Sequence, residues 1–160
     1  MGRSGWSEWS GDSSDELWAM IRQAGALKSA VRGKRGRKFL ADLAAALDAM
    51  PEKRLLRNDL VTEEGDEVCA LGCLMKARGL PPGEFDPEDH EGLGKVLDIA
   101  PILVQQVEWE NDEYASYDKT GKDDGERRWH WMRRWVDGEL KEIARYDARK
   151  KRGEAPGEAP

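Results

Sequence analysis

One run in this chain of 160 residues is apolar enough that it has to be buried: DEVCALGCLMKARGL, from Asp66 to Leu80. Val68, Leu71 and Met75, with Cys69, Cys73 and Leu74 on a neighbouring column, recur at the three- to four-residue spacing of a core helix. Gly72 lets another backbone come close, and Gly79 followed by Pro81 and Pro82 stops the helix. The rest of the chain is polar, with 39% hydrophobic and 36% charged residues overall. So little apolar material closes one small core with a heavily solvated surface. The run therefore predicts a mainly α single domain, a bundle of about six helices packed round a central one.

Amphipathic spacing predicts the other helices over 15–31, 37–50, 87–97, 101–111 and 124–148. The first turns Leu17, Met20, Ile21, Ala24, Leu27 and Val31 inward, with Lys28 on the same face. Phe39, Leu40, Leu43, Ala44 and Leu47 form the inner face of the second, and Trp129, Met132, Val136, Leu140 and Ile143 that of the last. Leu60-Val61 and Val68 flank Glu64-Gly65, a pattern for a short β-hairpin before the central helix. Residues 1–14, rich in Ser and Gly and carrying Trp6 and Trp9, read as a flexible tail, and 149–160 as a disordered one, leaving 15–148 as the helical domain. No run suits a bilayer and the start does not resemble a signal peptide, so a cytosolic site is expected. Cys69 and Cys73, four apart on one helix, are expected as free thiols.

Net charge is -6, but the charges are segregated. Lys28, Arg32, Lys34, Arg35, Arg37 and Lys38 fall in a stretch without an acid, whereas Glu84–Glu91 and Glu108–Glu113 are acidic. The basic stretch reads either as a helix–helix turn whose cations offset a helix dipole, or as a clamp for nucleic acid or an acidic protein. On the second reading the binding residues are Arg32, Lys34, Arg35, Arg37 and Lys38, with Trp6 and Trp9 as anchors. LGKVLDIAPILVQQVEW, Leu93 to Trp109, has helix-turn-helix spacing with Asp98 in place of the usual turn glycine. Its second helix offers Gln105, Gln106, Glu108 and Glu110 and no cation, which suits helix packing better than a DNA backbone. WHWMRRW interleaves Trp with Arg133 and Arg134, but helical spacing assigns Trp129 and Met132 to the core and Trp131 and Trp135 to a neighbouring face.

Candidates for chemistry are weaker. Cys69, Cys73, His90 and His130 lack the paired spacing of a zinc site. Cys69/His90/Asn111 and Cys73/His130/Asp112 would make nucleophilic sets only if a cation activated a thiol that the pattern buries. Asn111-Asp112 reads instead as the end of one helix and a cap for its neighbour. Asp86, Glu88, Asp89 and Glu91 lack calcium-loop spacing, and no glycine-rich phosphate loop follows a strand. No catalytic residue, metal or cofactor is expected.

Several segments stand in one order: MGRSGW, AVRGKRGRKFL, ALDAMPEKRL, VCALGCLMKARGL, IAP…NDE and ERRWHWMRRWV. Together they resemble a family of small proteins encoded by tailed bacteriophages and prophages of proteobacteria, over about Met1 to Val136. The resemblance implies phage origin and action in the host cytoplasm, and carries no catalytic residue with it. The expectation is a non-enzymatic accessory protein that binds a host or phage macromolecule, countering host defence or modulating nucleic-acid metabolism. A nucleic-acid-binding regulator using residues 93–109 or 32–38 and a minor virion component are the alternatives. Oligomeric state is not legible in the sequence.

Overall fold

A computed structural model describes residues 2–5, 14–114 and 124–153. The described chain is mainly helical, with six α-helices: α1 Ser14–Arg32, α2 Lys34–Ala49, α3 Ala70–Ala77, α4 His90–Leu97, α5 Pro101–Trp109 and α6 Gly125–Lys151. None of them is long and apolar enough to cross a membrane. A 3-10 turn, Pro82–Glu84, precedes α4, and α5 runs on into a π-turn, Glu110–Tyr114.

The apolar run is the centre of the core, in a helix shorter than its periodicity predicts. Ala70 to Met75 are all buried, and Cys69 caps the helix, its Sγ accepting from Gly72 N at 3.4 Å. Gly79 ends it with φ +75°, a conformation that costs glycine little. Gly72 permits the close approach expected of it, since a Cβ there would meet Leu60 O at 2.0 Å. The predicted hairpin is not formed. Val61 and Val68 make one isolated antiparallel bridge, and among the described residues no strand develops. The segment is too short and too charged to propagate the pairing, and no third strand supports it.

The joint between α1 and α2 also differs from expectation. Only Gly33 separates the helices, so Lys34 to Lys38 are helical rather than a turn. Gly36 makes that joint possible, because a Cβ there would lie 2.0 Å from Ala30 O. Lys34 to Lys38 therefore sit at a helix N-terminus, where the dipole disfavours them, while Arg32 lies in the last turn of α1, where it helps. α2 then packs on α3 and α6, and buries Phe39, Leu40, Leu43 and Leu47. Trp129, Met132, Val136 and Ile143 on α6 are buried as the spacing predicts. Leu140, Trp131 and Trp135 pack against the core half-buried.

The inner face predicted for α1 is the largest departure. Val31 is buried and Leu27 half-buried, but Leu17, Trp18, Met20 and Ile21 stay 53%, 60%, 41% and 50% exposed. The C-terminal end of α1 is anchored on the bundle, and the apolar face of its N-terminal half stays about half exposed.

Candidate functional site

Two regions depart from an ordinary helical bundle: a buried polar cluster and the uncovered face of α1. The cluster is built on the π-turn. One extra residue per turn rotates Asn111 and Asp112 inward, where both are about 1% exposed. Asn111 Oδ1 accepts from Ala70 N at 3.1 Å, so it caps α3, and its Nδ2 donates to Leu56 O at 2.9 Å. Asp112 takes a two-pronged contact from Arg3: Nε to Oδ2 at 2.6 Å and Nη2 to Oδ1 at 3.1 Å. It also accepts from Asn58 N at 3.1 Å. Arg128, at the start of α6, donates to Asn111 O at 2.8 Å and Leu55 O at 2.9 Å.

The N-terminal segment is thus no free tail at Gly2–Gly5. Arg3 and Ser4 are buried, Gly2 N donates to Glu113 Oε1 at 3.1 Å, and Gln105 donates to Ser4 O at 3.1 Å. Burial disfavours the charge on Arg3, but Cys69, Asp112 and Glu108 outweigh it and hold the guanidinium above its ordinary pKa. Trp6 and Trp9 lie outside the described residues.

Glu108 is fully buried beside this cluster. Burial pushes its carboxyl up to about 8; Arg3 works against the shift, while Asp112 and Glu88 add to it. His90 Nε2 stands 2.8 Å from Glu108 Oε2, without the alignment of a hydrogen bond. Glu110 is also raised by burial, although Trp131 and Gln106 donate to it.

Most of these side chains already have partners within the fold. Asn111 is committed to Ala70 and Leu56, Asp112 to Arg3, and His90 faces a carboxylate. Cys69 is fully buried with its sulfur capping α3. Cys73 is held as the thiol, its pKa pushed up to about 12 by burial and by Cys69. His130 is exposed on α6, edge-on to Trp129. Among the described residues no three of His, Cys, Asp and Glu are grouped to hold a metal ion. The cluster is a girder joining five segments, built from side chains that have been taken out of water.

The basic stretch is brought together but largely satisfied from within. Arg37 makes a two-pronged pair with Asp147 at 2.5 and 2.8 Å. Arg35 reaches Asp98 at 3.3 Å, Lys38 reaches Asp42 at 2.7 Å, and Arg32 lies 4.0 Å over the Tyr146 ring. Lys34 has no ion pair among the described residues. These acids offset both the mutual repulsion and the unfavourable dipole. The α4–α5 unit does form two short helices about Asp98, whose φ is +57°. Yet Gln105 and Gln106 are engaged by Ser4 and Glu110, and Glu108 faces the core.

The second region is the exposed apolar half of α1. Beside it lies a groove of about 420 Å³ between the rest of α1 and the C-terminal half of α6, its floor apolar at Ala24, Leu27, Val31 and Ile143 and its other lining residues charged, Lys28 and Glu142 among them. Sequence reasoning placed this face in the core. Trp18, which fits no inward column, was the signal that the helix carries more apolar surface than one bundle can cover. Compared with protein-family models, curated proteins and solved structures, the chain gives no match.

Proposed function

We propose that this chain is a phage-encoded, non-enzymatic accessory protein that acts in the host cytoplasm by binding a host or phage protein. The process served would be defence against the phage or the handling of nucleic acid. The observation that supports this reading is the side-by-side exposure of Leu17, Trp18, Met20 and Ile21 on a helix whose other end is fixed in the core. A contiguous apolar face of this kind, rimmed by polar residues, is what a protein partner covers. The basic stretch supports nucleic-acid binding less well, because acids of the same chain already neutralise Arg35, Arg37 and Lys38.

The test is affinity purification of the native chain and of Trp18→Asp from phage-infected cells. The reading expects one protein to co-purify reproducibly with the native chain and to be lost with Trp18→Asp, whose helix content and melting temperature stay unchanged. It expects phage yield to fall with the same variant. Retention of the partner and normal yield by a folded Trp18→Asp chain would refute it.

A further inference from the structure

We infer that the α1 faces of two copies of this chain pair antiparallel, making the protein a two-fold dimer. The inference rests on the binding reading above in treating α1 as an interaction surface, and it names the first occupant of that surface.

The face is self-complementary along one helix. Its N-terminal half projects apolar side chains that stay 41–60% exposed, and its C-terminal half borders the groove shared with α6. Turning a second copy round a two-fold axis across α1 puts each projection over the other copy's recess, and both recesses are filled by one operation.

The spacing supplies a register. Leu17, Ile21, Ala24 and Lys28 follow one another at intervals of four, three and four, the seam of a two-helix coil. Setting Ile21 opposite Ala24 of the second copy lays Leu17 along the aliphatic stem of its Lys28. The flanks then match as well: Met20 meets Leu27, and the Trp18 indole meets Gly25. That glycine is otherwise unexplained. It sits in mid-helix, where glycine costs about 1 kcal/mol relative to alanine, and a Cβ there would have nothing within 4 Å. No contact among the described residues requires it, whereas a facing indole would.

Charge selects the direction. Asp15 and Glu16 occupy the first turn of α1, and Lys28 and Arg32 its end. Antiparallel pairing brings the acidic end of each copy to the basic end of the other and opposes the helix dipoles. Parallel pairing would stack like on like. The small residues Ala24 and Gly25 let the two helices approach closely at the middle.

Sedimentation equilibrium on the full chain tests this, from sub-micromolar concentration to roughly 100 µM, where a dimer of micromolar Kd is nearly complete. The expected result is a reversible shift from the 18.0 kDa monomer to twice that mass. Ile21→Asp should raise the dissociation constant by at least about tenfold without loss of helix content. Lys28→Glu and the double variant Asp15→Lys with Glu16→Lys should each self-associate more weakly, and a one-to-one mixture of the two should recover the mixed dimer. A monomer at the highest concentration overturns the proposal, as does a dimer indifferent to Ile21→Asp or a mixture that shows no recovery. If the chain is monomeric but Ile21→Asp still abolishes partner capture, the dimer falls while the binding reading stands. If neither mass nor capture responds, both fall.

Discussion

Arg3 and Asp112 are each almost wholly buried, so their pairing has no water to share the charge. Removing one member of such a pair strands the other. Arg3→Met is expected to lower unfolding free energy by about 3 kcal/mol, read as a lower urea midpoint with an unchanged slope. Glu108 gives a pH signature. Its folded pKa of about 8 lies above the ordinary 4.5, so the native state holds the proton more tightly than the unfolded chain. Stability from this group is fully present below about pH 4.5 and is lost as pH rises toward 8, at a slope of at most about 1.4 kcal/mol per pH unit. The urea midpoint of the native chain should therefore fall across that window, and Glu108→Gln should flatten the fall. Arg3 was not legible in the sequence because it sits among Gly, Ser and Trp residues whose average reads as a tail. A composition window cannot register one guanidinium whose partner lies more than a hundred positions away. Asn111 was legible as a cap, but its target, the start of α3, becomes visible only when the π-turn rotates it inward.

At the scale of elements, periodicity located the six helices because each carries an apolar column. It did not say what covers a column, which is why the inner face assigned to α1 is mostly outside. Glycine was read correctly at Gly72. The basic stretch reads as a turn, whereas Gly36 lets α2 begin against the end of α1. Gly36→Ala must push the Ala30 carbonyl aside and is expected to cost about 1–3 kcal/mol, with the melting temperature falling accordingly. The same substitution at Gly65 meets no neighbour, but its φ of +77° strains any side chain, so a smaller loss of about 1 kcal/mol is expected there. Comparing the two melting curves separates crowding from backbone strain.

For the whole molecule, the basic stretch acquires acidic partners on folding. Asp42, Asp98 and Asp147 come from three different helices or their ends and converge on the basic start of α2. The linear pattern suggested a polyanion clamp because nothing in it shows that distant acids fold back onto the cations. Restoring the clamp is a test of this balance. The native chain is expected to pass through a heparin column at about 0.15 M salt, where exposed charges interact only over roughly 8 Å. Asp98→Asn with Asp147→Asn should be retained, and should elute as salt rises.

The anchoring of Gly2–Gly5 also bears on how the protein is made. The guanidinium that completes the interior leaves the ribosome 109 residues before its carboxylate, a delay of roughly 5–20 s at ordinary rates of synthesis. Until then α1, α2 and α3 can associate only loosely round an unfinished polar centre, and Arg128 arrives later still. Closure of the polar interior is thereby expected to wait until the start of α6 has been made. A product truncated before α6 should be cleared by the cell's proteases rather than persist as a stable fragment.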